Sequence, residues 1–455
     1  MSLVSLVFYG WWNPTYVLLI LISLIFNYAW GALVSGSLTT QWRRLLLAMG
    51  IGVNLAVLGY YKYSNFFVDI VNTVGNNRIA LEPIILPLGI SFLTFLQIAY
   101  LVDSFRGELK EKGVLNYFFF VTFFPKLIMG PIVRHHEIFP QLRKPNSFGV
   151  QSENVAVGLT IFFIGLFKKT VLADNIAAFA TPVFNAAEDG SIISITDAWT
   201  GTLAYTFQLY FDFSGYTDMA IGVSRLFGIV LPLNFYSPYK ALNIMEFWRR
   251  WHMTLSRFLR DYLYIPMGGN RKGVPRYYLN LLITMSLCGL WHGAGWTFIL
   301  WGFFHGVFMT LTHAWQRLME TLGFNREQTF YKGAAWFVTF TAVVCLWVIF
   351  RADTVGGTLC VLKSMSGMNG FIFEYQLVKS GSFYWLLASF IIVLLMPNTY
   401  QLMQTYHFFP TGIKTETSPR WAWSPSFKWA LISAFMAVCS ILSLSSVTEF
   451  IYFQF

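Results

Sequence analysis

The chain has 455 residues, 56% of them hydrophobic and only 11% charged, with a mean hydropathy of +0.55. Soluble domains carry about a quarter charged residues, so composition excludes an ordinary globular protein and points to the membrane. The formal net charge of +10, from 31 Lys+Arg against 21 Asp+Glu, does not signal nucleic acid. The basic residues sit in short loops between apolar stretches, where positive-inside bias and anionic lipid head groups account for them. Aromatic residues make up 19% of the chain, as expected where Trp and Tyr crowd the two membrane interfaces. Cys288, Cys345, Cys360 and Cys439 are scattered, without CxxC or a histidine at ligand spacing, so neither disulfides nor a metal site is expected. The first basic residue is Arg43, and no cleaved signal peptide is expected.

A crossing helix needs about 20 apolar residues. Ten stretches qualify, near 15–34, 45–61, 84–104, 156–178, 198–230, 279–296, 297–313, 333–350, 382–397 and 429–448. Residues 3–12 form a shorter piece stopped by Asn13-Pro14. The stretch 115–130 holds Pro125 and Lys126 and reads as re-entrant or interfacial. If it does not cross, Arg43/Arg44, Arg106/Lys110/Lys112 and Arg134/Arg143/Lys144 share the inner face. They share it with the eight basic residues of 240–276, with Arg317/Arg326/Lys332 and with Lys414/Arg420/Lys428. Glu188, Asp189 and Asp197 then lie outside, as does the C-terminus. This pattern predicts one all-α polytopic membrane domain over residues 1–455, without internal repeats.

Three segments carry ionisable groups at or beside membrane depth. In Phe207–Ile221, Asp212 and Asp218 have Tyr210, Ser214 and Tyr216 as hydrogen-bonding neighbours. They read either as a helix break whose carboxylates cap backbone or pair with an arginine, or as the lining of a substrate path. Residues 246–264 place Trp248, Trp251, Leu255, Phe258, Leu259 and Tyr262 three and four apart, with Arg249, Arg250, Arg257 and Arg260 between them. That is an amphipathic helix for the cytoplasmic interface, part of a shelf over about 238–276. Its basic face suits either simple anchoring or an anionic donor, such as a nucleotide-bearing thioester or an acidic carrier protein. Met267–Gly273, with Asn270, Arg271 and Lys272, is a turn rather than a phosphate loop, because it lacks the Walker spacing.

The third segment is Leu290-Trp291-His292-Gly293-Ala294-Gly295-Trp296. An imidazole at membrane depth marks a functional site by default, and its bland alternative is a ring bonded to a backbone carbonyl. Gly289, Gly293 and Gly295 thin the helix so that backbone or substrate approaches His292, and Trp291 and Trp296 are placed to wall a tunnel. A neutral, desolvated imidazole suits general-base work on a hydroxyl. His305, 13 residues on, falls on the opposite face at 100° per residue. His313, His407 and the His135-His136 pair read as structural. No GxSxG elbow supports Ser-His-Asp catalysis.

Four blocks in order resemble the membrane-bound O-acyltransferase (MBOAT) family over nearly the whole chain. They are Leu209-Tyr210-Phe211-Asp212-Phe213-Ser214-Gly215-Tyr216-Thr217-Asp218-Met219-Ala220, Glu246-Phe247-Trp248-Arg249-Arg250-Trp251-His252, Arg260-Asp261-Tyr262-Leu263-Tyr264-Ile265-Pro266 and Gly289-Leu290-Trp291-His292-Gly293-Ala294. Leu86–Phe92, Gly130–Arg134 and Trp347–Arg351 are similar to its bacterial alginate O-acetylase branch. The family's members usually carry a further apolar segment ahead of Phe8-Tyr9-Gly10-Trp11-Trp12.

The resemblance implies a ring of about 10–11 tilted helices around a tunnel, in the bacterial cytoplasmic membrane. It implies His292 and His252 as the catalytic pair, with His292 the general base and His252 orienting donor or intermediate. Trp248, Arg249, Arg250, Asn270, Arg271, Lys272, Trp291, Tyr210, Asp212 and Ser214 are the candidates for donor or substrate binding. Asp212 and Asp261 are expected chiefly to orient helices and arginines. The donor implied is acetyl-CoA or an acyl carrier, with no resident cofactor and no metal. The acceptor is an extracytoplasmic polysaccharide such as alginate, reached directly or through a secreted SGNH-type partner. D-alanyl transfer to teichoic acid from a carrier protein is the alternative within the class. A non-catalytic transporter of acyl or lipid-linked sugar groups is the alternative outside it.

Overall fold

A computed structural model describes residues 1–75, 79–82, 84–109, 113–143, 151–371, 373, 375, 377–378, 381–406 and 421–445. Lys110, Lys112, Lys144, His407, Lys414 and Arg420 lie outside the described residues. Among those described, every regular element is helical. The first half of the chain gives α1 (Ser2–Trp12), α2 (Pro14–Val34), α3 (Thr40–Gly75), α4 (Ile90–Arg106), α5 (Val114–Thr122), α6 (Phe124–Leu127), α7 (His135–Leu142), α8 (Ser152–Glu188) and α9 (Ile195–Leu226). The second half gives α10 (Ile244–Arg250), α11 (Met253–Leu259), α12 (Val274–His292), α13 (Trp296–Thr321), α14 (Thr329–Arg351), α15 (Val355–Met365), α16 (Ser382–Leu395), α17 (Thr399–Met403) and α18 (Phe427–Leu442).

Every expected span falls on a helix. α2, α3, α8 and α14 are long and apolar enough to cross a bilayer unaided, and α16 joins Thr399–Tyr406 in a further candidate bent by 48°. The other expected spans fall on α4 and α18, with 17 and 16 residues, and on α9, α12 and α13, which carry polar or ionisable side chains. The stretch 115–130 is divided at Phe123 into the nine-residue α5 and the four-residue α6, so no continuous helix there is long enough to cross.

Among the described residues the chain packs as two units, one within 1–159 and 220–232, the other within 160–219, 233–406 and 421–445. In the first unit, buried polar groups tie apolar helices together. Asn27 and Asn54 exchange side-chain hydrogen bonds at 3.1 and 2.7 Å, joining α2 to α3. Tyr117 donates to Gln97 at 2.7 Å, joining α5 to α4. His135 is held on both sides: its Nδ1 lies 3.0 Å from Asp103 and its Nε2 3.2 Å from the Glu108 carbonyl.

The second unit holds two close helix pairs. Gly165 on α8 and Gly215 on α9 let the backbones touch, since a Cβ on either would meet the other's carbonyl oxygen. Just beyond that contact the α8 backbone widens into a π-helical turn, Lys168–Ala173. Lys168 there pairs with Asp218 at 2.7 Å, and Lys169 with Asp212 and Asp174, each at 2.7 Å. The break expected in Phe207–Ile221 is therefore absent: α9 is one helix of 32 residues. Its carboxylates are held by lysines of α8 rather than by arginines, because the glycine contact brings those lysines within reach.

The second pair is the hairpin of α12 and α13. A Cβ on Gly289 would strike the Phe298 carbonyl, and one on Gly302 the Met285 carbonyl. Gly293 and Gly295 are extended, with φ of −154° and −163°, and reverse the chain between the two helices.

Candidate active site

The shelf is not the single amphipathic helix expected over 246–264. It breaks at Trp251-His252, where His252 has φ 41° and ψ 53°, into α10 and α11. A non-glycine residue in the left-handed region costs about 1–2 kcal/mol, so other contacts must hold it. Asn234 supplies them. Its side-chain oxygen lies 3.1 Å from His252 Nδ1 and accepts from Thr254 Oγ1 at 2.9 Å, and its backbone carbonyl accepts from Met253 N–H at 2.9 Å. Tyr236 N–H donates to the Arg250 carbonyl at 2.9 Å, so the segment 234–236 grips both sides of the break.

This break turns His252 inward. The ring is fully buried, with Phe213 4.8 Å and Trp291 6.3 Å away between centroids. Burial pushes the imidazole down to about 3, so it is neutral at any working pH.

His292, on the last turn of α12, is 6% exposed. Trp291, Trp301 and Phe350 surround it at 4.8, 5.2 and 5.3 Å between ring centroids. Trp291 thus touches both histidines, and one aromatic cluster holds the two residues that the motifs singled out. Trp248 belongs to the same cluster, with its ring 5.8 Å from Trp301 and its indole N–H donating to His305 Nδ1 at 3.1 Å.

One expectation about this region is narrowed and another changes. Of the two approaches that the glycines allow, it is backbone that comes close at Gly289, at the Phe298 carbonyl, while the Phe298 ring fills the space beside Gly293. Trp296 is 56% exposed. His305 also does not face away from His292. Both rings pack on Trp301, at 5.2 and 4.7 Å, because the extended Gly293-Ala294-Gly295 turn breaks the helical phase that the 100° count assumes.

The remaining candidates separate into buried and exposed sets. Tyr210 is 6% exposed and packs near Tyr239 and Trp251, at 5.5 and 6.4 Å. Ser214 is buried, and Asp212 is committed to Lys169. Arg249, Asn270, Arg271 and Lys272 are exposed on the shelf and its following turn. Arg250 is half-buried, bonded to Glu246 at 2.6 Å and stacked over Tyr236 at 5.8 Å. Asp261 pairs with Arg260 at 2.6 Å, as an arginine-orienting role requires. The turn over Met267–Gly273 is confirmed, with Gly268, Gly269 and Gly273 all at positive φ. A groove of about 920 Å³ lies between α13 and α14, lined by Ile244, Phe308, Leu311, Trp315 and Val338, and none of the candidate site residues borders it.

Asn234, Phe213, Trp301, Phe350 and His305 contact the candidate residues, and the motif reading did not single them out. Asn234 sits 18 residues before His252, and no local spacing links them. Trp301 and His305 carried a usable signal, an indole and an imidazole one turn apart in an apolar helix.

Comparison with known proteins identifies the family. The model of MBOAT, the membrane-bound O-acyltransferase family, matches residues 7–351. Over 393 residues the chain is 44% identical to a peptidoglycan O-acetyltransferase of Helicobacter pylori, covering 81% of this chain and 73% of that one. Over 470 residues it is 38% identical to a probable alginate O-acetylase AlgI of Pseudomonas putida, covering 99% and 93%. A teichoic acid D-alanyltransferase of Bacillus subtilis is 31% identical over 255 residues, 53% of this chain and 63% of that protein. With both histidine motifs inside the matched region, the chain belongs to the membrane-bound O-acyltransferase family and is a multi-pass membrane enzyme of acyl transfer.

Proposed function

We propose that this enzyme O-acetylates an extracytoplasmic polysaccharide from the bacterial cytoplasmic membrane, taking acetyl from a cytoplasmic thioester, acetyl-CoA. The observation that carries the reading is His292, buried among Trp291, Trp301 and Phe350 in a chain whose relatives at near full length are O-acetylases. An imidazole so placed takes the proton of a hydroxyl as its oxygen adds to the acyl carbon. The C–O bond forms, the C–S bond breaks, and the proton passes from the imidazole to the leaving thiolate. His252, neutral and fixed by Asn234, orients donor or intermediate. Exposed Arg249, Arg271 and Lys272 attract the anionic part of the donor. The acceptor is the polymer itself or a secreted SGNH-type relay protein. The similarity to a D-alanyltransferase supports a second reading, in which the donor is an acyl carrier protein. Membership in an acyltransferase family removes the non-catalytic transporter from consideration.

His292→Gln tests the base. Glutamine keeps one hydrogen bond but takes no proton, and loss of a general base typically lowers rate by about 10²–10⁴. The variant is expected to reach the membrane at normal levels and to leave the polymer unacetylated, measured as alkali-released acetate. Retention of more than about a tenth of normal acetylation, a smaller loss than any expected for a base, would refute the assignment.

A further inference from the structure

The acyl-transfer reading above, on which this inference rests, leaves His305 unused. His305 and Trp301 stand one turn apart on α13, and both are fully buried. The Trp301 ring contacts His292 and His305 at 5.2 and 4.7 Å, so all three share one buried cluster. Trp248 Nε1–H donates to His305 Nδ1. A nitrogen that accepts carries no proton, so the neutral ring bears its hydrogen on Nε2. That Nε2–H and the Trp301 indole N–H have no hydrogen-bond partner among the described residues.

Buried donors are nearly always matched, and two unmatched ones beside the base call for an oxygen brought by the substrate. In acyl transfer that oxygen is the acyl carbonyl, which turns anionic as the hydroxyl adds. Fixed donors placed where that charge develops lower the barrier without reorganisation. We propose that His305 Nε2–H and Trp301 Nε1–H donate to the carbonyl oxygen of an acyl thioester or ester. Trp248 is a positioning residue that holds His305 in the donating tautomer. His305 exchanges no proton in this step. The hydroxyl proton goes to His292 and then to the departing thiolate, and the carbonyl re-forms as the thiolate leaves.

The two amide side chains separate this role from a structural one. Asparagine places its amide near Nδ1, where its oxygen accepts from Trp248. Glutamine places its amide N–H near Nε2. Membrane vesicles from cells carrying the full chain are supplied with radiolabelled acetyl-CoA, and label in polymer is followed per folded protein. His305→Ala and His305→Asn are expected to lower kcat by about 10²–10³, as for loss of an oxyanion donor, with KM for acetyl-CoA little changed. His305→Gln is expected to recover at least tenfold over the asparagine variant, with the pH profile of wild type. Rescue by asparagine instead of glutamine, equal loss in all three, or no loss in any overturns the inference. His292→Gln is assayed in parallel. If it is dead while the His305 set is level, only this inference fails, and if it is active the acyl-transfer reading itself fails.

Discussion

His252 shows how one residue carries two separable jobs. Its backbone is left-handed, with φ 41°, and its ring is pinned by Asn234. Glycine accepts that backbone without the Cβ penalty. His252→Gly is therefore expected to be more stable than His252→Ala by about 1 kcal/mol, read as a higher thermal midpoint in detergent, while both lose acyl transfer. Equal stabilities would mean that the chain does not adopt the left-handed turn there. The pKa has a consequence of known sign. Because burial depresses it from 6.5 to about 3, the stability from the neutral ring is complete above pH 6.5 and declines as pH falls toward 3. No activity limb between pH 7 and 9 belongs to this ring.

At the scale of elements, the α12–α13 hairpin sets the position of His292. Gly289 and Gly302 bring the two backbones together, and the extended 293–295 turn sends α13 back so that Trp301 meets His292. Overpacking such a contact costs about 1–3 kcal/mol or more. Gly289→Leu is expected to lower both the thermal midpoint and accumulation in the membrane. Gly52→Leu, on a face of α3 where a Cβ meets nothing within 4 Å, is expected to change neither. Similar losses in the two variants would show that the close hairpin is not the cause. The α8–α9 pair follows the same logic, a glycine contact that brings lysines to buried carboxylates where an arginine was expected.

At the scale of the molecule, the charge pattern predicts sidedness. Arg271 and Asp189 are both exposed, one on the basic shelf and one in an acidic loop. A cysteine at Arg271 is expected to react with impermeant thiol reagents only from the cytoplasm, and one at Asp189 only from outside. Labelling of both from one side would contradict the arrangement of crossings deduced from the loops.

Much of this protein was legible in local sequence. Apolar runs of membrane length mark the helices, because a backbone in lipid must satisfy its hydrogen bonds within each segment. The cost of an imidazole at that depth singles out His292, and the ordered motifs around it identify the family. What sequence periodicity did not reach was whatever depends on a phase break or a distant partner. His305 joined the site because the 293–295 turn ends one helix and starts another, cancelling the angular count across it. His252 turned inward because Asn234 holds its backbone in a conformation that no side-chain pattern encodes. Sequence left open whether backbone or substrate approaches at the glycines near His292, and packing gives the space at Gly289 and Gly293 to Phe298, since only tertiary packing decides what occupies the space beside a missing Cβ.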